Sequence, residues 1–142
     1  MIAIRRMATE DLTAARALLH QLGYRLDAEE VRRRHGMIAE CDDHVLLVAE
    51  QDGSIIALCH VYARPALDKP PEAVVQALIV DEACRGNGVG RKMMDAAETW
   101  ARDHDFTSLA LASHVARAEA HAFYKGLGYC QVATSHMFRK TW

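Results

Sequence analysis

The residues best suited to chemistry in this chain form a glycine-rich segment, Arg85-Gly86-Asn87-Gly88-Val89-Gly90. It follows an apolar run and opens a long stretch with helical periodicity. Glycines allow positive φ angles and leave no Cβ to block a close ligand. The first N–H groups of the following helix have no partner inside it, and together with the helix dipole they attract an anion. Arg91 and Lys92 add positive charge, so the segment predicts a site for phosphate groups.

Two common phosphate loops do not fit this segment. A Walker A loop ends in Gly-Lys-Ser/Thr, whereas Gly90 is followed by Arg91 and Lys92. A dinucleotide fingerprint needs Gly-x-Gly-x-x-Gly, and counting from Gly86 and Gly88 the third glycine position holds Arg91. On glycine spacing alone, a turn that binds no ligand is an equal alternative.

The elements that must position this segment alternate between strand and helix patterns, which indicates a mixed α/β domain. The strand patterns cover Ile2–Arg6, His44–Glu50, Ile55–Ala63, Ala73–Val80 and Thr107–Ala112, with one or two more in the tail from Tyr129 to about Lys140. The helix patterns begin after Thr9 and after Asp27 as N-caps, and at about Val89 and Ala118. An Asp-Gly segment between the second and third strands predicts a β-hairpin.

Composition limits the classes of protein. A length of 142 residues predicts one domain, over residues 1–142. A net charge of −2, from 17 basic and 19 acidic residues, argues against nucleic-acid binding. No apolar stretch approaches the ~20 residues that span a bilayer. Neither the four cysteines nor the eight histidines show metal-ligand spacing, so we expect no metal. Scattered thiols and an N-terminus unlike a signal peptide predict a cytoplasmic protein.

Two motifs resemble those of the GNAT family of N-acetyltransferases. Arg85-x-x-Gly88-x-Gly90 is similar to the family's Arg/Gln-x-x-Gly-x-Gly/Ala signature. The segment Ala120-His121-Ala122-Phe123-Tyr124-Lys125-Gly126-Leu127-Gly128-Tyr129 is similar to its Ala-x-x-Phe-Tyr-x-x-x-Gly-Phe/Tyr segment. The resemblance covers about residues 73–130, and the N-terminal half fits in the order of its elements.

The resemblance implies a GNAT-type fold: a mixed, twisted β-sheet, splayed near Val80 and Ala112 and flanked by helices on both faces. Acetyl-CoA would lie in the gap as the co-substrate. The backbone of the preceding strand would pair with the pantetheine arm, and the glycine segment would hold the pyrophosphate. The cofactor-binding residues implied in this way are Leu78, Ile79, Val80, Arg85, Gly86, Asn87, Gly88, Val89, Gly90, Arg91, Lys92, Ala120, Phe123 and Tyr124.

The implied activity is an N-acetyltransferase reaction of the EC 2.3.1 type, in which an amine attacks the thioester directly. Such a reaction needs a neutral amine, stabilisation of the oxyanion and a proton for the departing thiolate. No covalent enzyme intermediate is required. The resemblance places Tyr124 near the sulfur as the general acid, because its phenol is protonated at neutral pH.

The general base stays open at this stage. Many relatives carry a Glu in the strand before the cofactor loop, but Ala73–Val80 contains no acid. Glu72 and Glu82 flank that strand, and Gln76 within it could hold a water that accepts the proton. His60, near the end of the preceding strand, is a further candidate because its ordinary pKa lies near neutrality.

The amine acceptor and the acyl chain also stay open. The acceptor is a primary amine of a small molecule or of a protein, and the acidic and basic residues in the segments 22–45 and 62–72 offset each other. Two other functions remain: an acyltransferase that uses a longer acyl-CoA, and a non-catalytic CoA-binding regulatory module. A homodimer is compatible with the sequence, which does not determine the oligomeric state.

Overall fold

Five strands form one sheet in the order β1-β2-β3-β4-β5. The structure is a computed structural model that describes residues 1–142. It divides into two units, Met1–Ala112 and Ser113–Trp142, and the whole sheet lies in the first. The strands are β1 (Ile2–Arg6), β2 (His44–Gln51), β3 (Ser54–Arg64), β4 (Glu72–Val80) and β5 (Leu109–Leu111). The first four strands pair antiparallel, and β5 joins β4 in parallel.

Four α-helices form at the predicted places in the chain. They are α1 (Leu12–Gln21), α2 (Ala28–Ala39), α3 (Val89–Asp103) and, in the second unit, α4 (Ala118–Gly126). The predicted cap of α2 is confirmed, because Oδ1 of Asp27 accepts a hydrogen bond of 2.8 Å from the N–H of Glu30. No helix of the chain is both long and apolar enough to cross a membrane.

The predicted cap of α1 is wrong. Thr9 lies within a short 3-10 turn that precedes α1, so its side chain does not cap the helix. Asp11 makes the local contacts instead: its Oδ2 accepts a 2.7 Å hydrogen bond from the N–H of Ala8. The Arg5 guanidinium binds the same carboxylate and lowers the pKa of Asp11. This partly buried ion pair orients the carboxylate of Asp11, the residue that precedes α1.

The predicted hairpin between β2 and β3 is confirmed. Its two turn residues, Asp52 and Gly53, have φ angles of +51° and +79°. Two consecutive positive φ angles are typical of a type I′ turn, whose twist matches that of paired strands. The pairing of Gln51 with Ser54 closes the ladder directly at this turn.

The two faces of the sheet are covered by different helices. Ala15 and Leu18 of α1 pack with Leu58 of β3 and Ile79 of β4 in one buried cluster. Successive strand residues point to opposite faces. On the other face α3 packs against β3 and β4 and buries its apolar stripe, which comprises Val89, Met93, Met94, Ala97, Trp100 and Ala101. The predicted placement of helices on both faces is therefore confirmed.

The second unit departs from the sequence prediction. The sequence predicts one or two strands from Tyr129 to about Lys140, but no residue after α4 is in a strand. A strand needs a hydrogen-bonding neighbour, and the unit Ser113–Trp142 contains no other strand. Large apolar side chains of this tail are instead exposed, namely Val132, Met137, Phe138 and Trp142.

Candidate active site

The glycine segment forms a left-handed turn that leads directly into α3. Gly86 and Gly88 have φ angles of +84° and +79°, a region that favours glycine. Gly88 is the N-cap of α3 and offers no side chain to cap it. The carbonyl of Gly88 accepts from the N–H of Lys92 at 3.1 Å, as the first bond of the helix. The N–H groups of Val89, Gly90 and Arg91 precede that bond and have no helical partner, so they are available to an anion.

Side chains on both sides fix this turn to the end of β4. Arg85 donates from Nε to the carbonyl oxygen of Val80 at 3.1 Å, which brings its charge beside the turn. Oδ1 of Asp81 accepts from the N–H of Ala83 at 3.0 Å. The segment that the sequence predicts as a phosphate site is therefore held in shape by its own flanking residues.

A glutamine of α1 also holds this region, and sequence reasoning missed it. Oε1 of Gln21 accepts a 3.0 Å hydrogen bond from the N–H of Glu82. Its Nε2 donates to Oδ1 of Asp81 at 3.3 Å. Gln21 is 60 residues from Asp81 in the chain, and no local pattern marks such a contact. The end of α1 is thereby tied to the start of the glycine turn.

The last half of β4 has a free edge. The parallel pairing with β5 is limited to three residue pairs, in which Ala73–Val75 lie opposite Leu109–Leu111. Leu78, Ile79 and Val80 pair with β3 on one side, and no strand pairs with them on the other. This is the predicted splay of the sheet. Unpaired backbone N–H and C=O groups on a strand edge can bind an extended ligand in the manner of an added strand.

A β-bulge lies where the free edge begins. The register changes from His60 opposite Ala77 to Val61 opposite Val75, so Gln76 is an extra residue in β4. Gln76 is exposed, whereas every other residue of β4 is buried or half-buried. Bulges re-aim side chains next to functional sites. Sequence reasoning named Gln76 as a water-holding candidate but did not predict the bulge.

Glu72, one candidate base, has partners for both carboxylate oxygens. Oε1 lies 2.6 Å from Nη2 of Arg64, and Oε2 accepts from the hydroxyl of Ser108 at 3.0 Å. These contacts join residues of β3 and β4 with the residue before β5. The arrangement ties three strands together where β5 begins.

His60, the other candidate, lies on the sheet face that α1 covers. Its Nε2 is 2.9 Å from Nδ1 of His44 in β2. Burial, with a smaller contribution from the charge of His44, lowers the pKa of His60 to about 4. Its imidazole is therefore neutral at physiological pH, and on its own it is a weak base.

Comparison with known proteins decides the family. The sequence model described as "Acetyltransferase (GNAT) family" matches residues 12–129. The chain belongs to the GNAT acetyltransferase family. It is an acetyl-CoA-dependent N-acetyltransferase that acts on an amine, and acetyl-CoA is its co-substrate.

Individual relatives extend over the whole chain. The chain is 26% identical over 142 residues to "Uncharacterized N-acetyltransferase YhdJ" of Bacillus subtilis (strain 168), covering 99% of each protein. It is 28% identical over 139 residues to "Aminoglycoside N(6')-acetyltransferase type 1" of Stenotrophomonas maltophilia, covering 94% of this chain and 90% of that protein. The aminoglycoside acetyltransferase AAC(6')-Iy, solved in complex with CoA, has a similar fold, with a TM-score of 0.90 at 19% identity, covering 99% of this chain and 95% of that one.

The second GNAT motif lies in α4 of the second unit. Ala120, Phe123 and Tyr124 are all in this helix. The ring of Tyr124 makes edge contacts with Phe123 at 5.1 Å and with Tyr129 at 6.2 Å between centroids. The carbonyl of Tyr124 accepts from the N–H groups of Leu127 and Tyr129 where the helix ends. The motif thus forms an aromatic cluster around its tyrosine.

One group of potential metal ligands lies outside the GNAT motifs. Cys41, Asp43 and His44 have ligand atoms within 4.8 Å of one another. Cys41 and Asp43 are exposed, and the ring of His44 is already engaged with His60. Structural zinc sites are closed by four ligands, so we assign no metal to this group.

The remaining cysteines do not suggest a covalent mechanism. Burial raises the pKa of the Cys59 thiol to about 12, which makes it an apolar core residue. Cys84 lies in the short 3-10 turn before Arg85, where its carbonyl accepts from the Asn87 amide at 3.4 Å. Neither thiol is needed for direct attack of an amine on a thioester.

Proposed function

We propose that this enzyme acetylates a primary amine of a small cationic molecule. The free edge of β4 from Leu78 to Val80 is the observation that supports acetyl transfer. Its unpaired backbone groups would bind the extended arm of acetyl-CoA and so align the acetyl thioester. The pyrophosphate would lie on the free N–H groups of Val89, Gly90 and Arg91. The fourteen cofactor contacts expected from the family resemblance are part of this proposal, including those of Arg85–Lys92 in the first unit and of α4 in the second.

We propose that the amine attacks the thioester carbonyl directly. Backbone N–H groups near Ile79 and Val80 would stabilise the oxyanion. Tyr124 would give its phenolic proton to the departing thiolate of CoA. Because the amine is itself the nucleophile, no acyl-enzyme forms.

Between the candidate bases, we propose His60 rather than Glu72. Both oxygens of Glu72 have partners in Arg64 and Ser108, and removing them would cost free energy before any proton moved. His60 lies opposite Ala77, the residue before the free-edge segment Leu78–Val80, and is neutral at physiological pH. A water on Gln76 and the carboxylate of Glu82 are the remaining alternatives.

The charge pattern of α2 and of the turn before His44 supports a cationic acceptor. Glu30 pairs with Arg33 at 2.6 Å and with Arg34 at 2.8 Å, so part of the basic run of α2 is offset within the helix. The turn that follows α2 carries Glu40, Asp42 and Asp43, all exposed, and leads directly into His44. Opposite charge at the entrance of a site raises the local concentration of the substrate. The aminoglycoside acetyltransferase of Stenotrophomonas maltophilia points to the same class of polyamine acceptor.

The test is a panel of amines with acetyl-CoA, read by release of the free CoA thiol. It should contain aminoglycosides, linear polyamines, amino acids and a lysine-containing peptide. We expect turnover with the polycationic small molecules and little with the peptide. Preference for a longer acyl-CoA would favour the acyltransferase alternative. Binding of acetyl-CoA without turnover on any amine would favour the non-catalytic module.

Three further properties belong to this proposal. We propose that residues 1–142 act as one acetyltransferase domain in the cytoplasm, where its thiols stay reduced, without a nucleic-acid partner.

We also propose a homodimer. The exposed apolar side chains of the tail, Val132, Met137 and Phe138, would be covered by a second copy of the chain, since exposed apolar clusters mark association surfaces.

A further inference from the structure

Two histidines on neighbouring strands form a hydrogen-bonded pair. His44 opens β2, and His60 lies near the end of β3. The register places Tyr62 opposite His44 and Leu46 opposite His60, so both histidines point to the same face of the sheet. At that diagonal spacing the two rings reach each other, and Nδ1 of His44 lies 2.9 Å from Nε2 of His60.

Neighbouring groups fix the orientation of the pair. The ring of Tyr62 stacks on His44, with 5.1 Å between centroids and 13° between planes. On its outer side, Nε2 of His44 lies 4.0 Å from Oδ1 of Asp43, and the His44 side chain is 26% exposed. The backbone of Asp43 is itself held, because its carbonyl accepts from the N–H of Ala63 at 2.8 Å. His44 therefore links the more buried His60 to a carboxylate and to solvent.

His60 alone is poorly suited to hold a proton. Burial disfavours its imidazolium form, which is why its pKa falls to about 4. If His60 took a proton from the ammonium group of the acceptor, it would return that proton quickly. The proton stays on the enzyme only if the positive charge moves from His60 to a better solvated group. His44 provides such a position, since its outer nitrogen faces Asp43.

We propose that His44 is the positioning residue for His60: it keeps a lone pair on Nδ1 of His60 and receives the proton that His60 passes on. This inference rests on the proposed role of His60 as the base. In the resting state Nε2–H of His60 donates to Nδ1 of His44, which leaves Nδ1 of His60 with a free lone pair. An acceptor ammonium gives one proton to Nδ1 of His60, and the proton on Nε2 of His60 moves to Nδ1 of His44.

The charge then resides on His44 as an imidazolium beside Asp43, and the amine is neutral and ready to attack. After the product leaves, Nδ1–H of His44 returns its proton to Nε2 of His60. His60 releases its Nδ1 proton to water in the emptied site. One proton has then passed from the ammonium to water, and both rings have recovered their starting tautomers.

The test combines side-chain NMR with kinetics of full-length variants. The ¹⁵N spectra of the wild type should show a proton on Nε2 of His60 and none on Nδ1. In His44→Asn the amide oxygen takes the place of Nδ1, so it keeps the tautomer of His60 but cannot carry the proton. We expect kcat to fall about tenfold or more in His44→Asn, with KM for acetyl-CoA unchanged. His44→Ala should lose the tautomer preference as well.

The outcomes separate this inference from the base assignment. His60→Gln should lose at least as much activity as His44→Asn, and the double variant should lose no more than His60→Gln alone, because the two rings act as a unit. Full activity in His60→Gln would overturn the base assignment and with it this inference. Loss in His60→Gln together with wild-type kcat in His44→Asn, or a proton on Nδ1 of His60, would overturn this inference alone. His104→Asn, in a histidine at the end of α3, serves as the control and should keep wild-type kcat.

Discussion

Gly53 and Gly88 have the same φ angle, +79°, although one lies in the β2–β3 turn and the other caps α3. A Cβ at either position would meet no atom within 4 Å. A side chain at either glycine therefore costs backbone strain alone, about 1–2 kcal/mol. The same substitution at Gly53 and at Gly88 therefore separates two effects. Both variants report the effect of backbone strain on stability, and only the Gly88 variant should also change ligand binding.

We expect Gly88→Val and Gly53→Val to lower Tm by similar amounts. CoA binds the native state and should raise Tm in the wild type and in Gly53→Val. In Gly88→Val that increase should disappear, because the new side chain lies at the N-terminus of α3 where the pyrophosphate binds. The measurement is thermal unfolding with and without CoA. Normal stabilisation of Gly88→Val by CoA would show that the loop assignment is wrong.

Tyr124→Phe should reduce turnover by roughly 10²-fold with little change in acetyl-CoA affinity, since a general acid contributes about that much. Only a hydroxyl is removed, so the ring contacts with Phe123 and Tyr129 should persist. The measurement is kcat and KM with saturating amine. Tyr24→Phe, at an exposed tyrosine, is the control. A kcat of Tyr124→Phe within about threefold of wild type would refute the role.

Glu72→Gln should affect stability more than turnover. The substitution removes the charge that pairs with Arg64, whose Nε is already buried without a hydrogen-bond partner. We expect a loss of about 1–3 kcal/mol in the free energy of unfolding and kcat within tenfold of wild type. Glu98→Gln, which breaks a surface pair with Arg102, should cost well under ~1 kcal/mol. A hundredfold loss of kcat at unchanged stability would instead identify Glu72 as the base.

The lowered pKa of His60 should make the folded state less stable in mild acid, where the histidine of the unfolded chain becomes protonated first. Its pKa is about 4 in the native protein against an ordinary value of 6.5, so the unfolded chain binds more protons between these values. Stability contributed by neutral His60 is then fully present above pH 6.5 and is lost as the pH falls towards 4. Urea unfolding across this range should show a shallower pH dependence in His60→Gln than in the wild type. His136→Gln, in the exposed tail, should keep the wild-type slope, and equal slopes in all three proteins would contradict the shift.

Phe138→Asp should test the role of the tail. Phe138 is 92% exposed, so a charged residue there should leave a monomer unaffected. If a second copy covers the tail, the substitution buries a carboxylate at the interface, and the dimer should dissociate. Light scattering after size-exclusion chromatography measures the mass. A monomeric wild type would contradict the proposed homodimer.

The features predicted from sequence are those set by neighbours in the chain. The cap at Asp27, the turn at Asp52 and Gly53, and the extent of α3 depend on local hydrogen bonds and on helical periodicity. The start of α1 was misplaced because Arg5, on a strand, determines where the carboxylate of Asp11 lies. The prediction of strands in the tail is wrong because the alternation of apolar and polar residues does not show whether a neighbouring strand is present for pairing.

Sequence alone suggests the candidate site where its motif is continuous, and it does not reveal the contacts that depend on strand register. Gly86 and Gly88 are recognisable from spacing, and their positive φ angles agree with the phosphate turn expected there. The contact between His44 and His60 joins residues 16 apart and depends on how β2 aligns with β3. The bulge at Gln76 likewise depends on the alignment of β4 with β3, which a single sequence does not reveal.

The contact of Gln21 with Asp81 and the N–H of Glu82 has a thermodynamic consequence. It joins the C-terminal end of α1 to the turn that leads into the cofactor loop. A shift of α1 would therefore change these two contacts and act on that turn. Linkage is reciprocal, so an acceptor that tightens CoA binding through Gln21 is itself bound more tightly, by the same factor, when CoA is present. The positions of α1 and of the cofactor turn are thus linked through a single amide side chain.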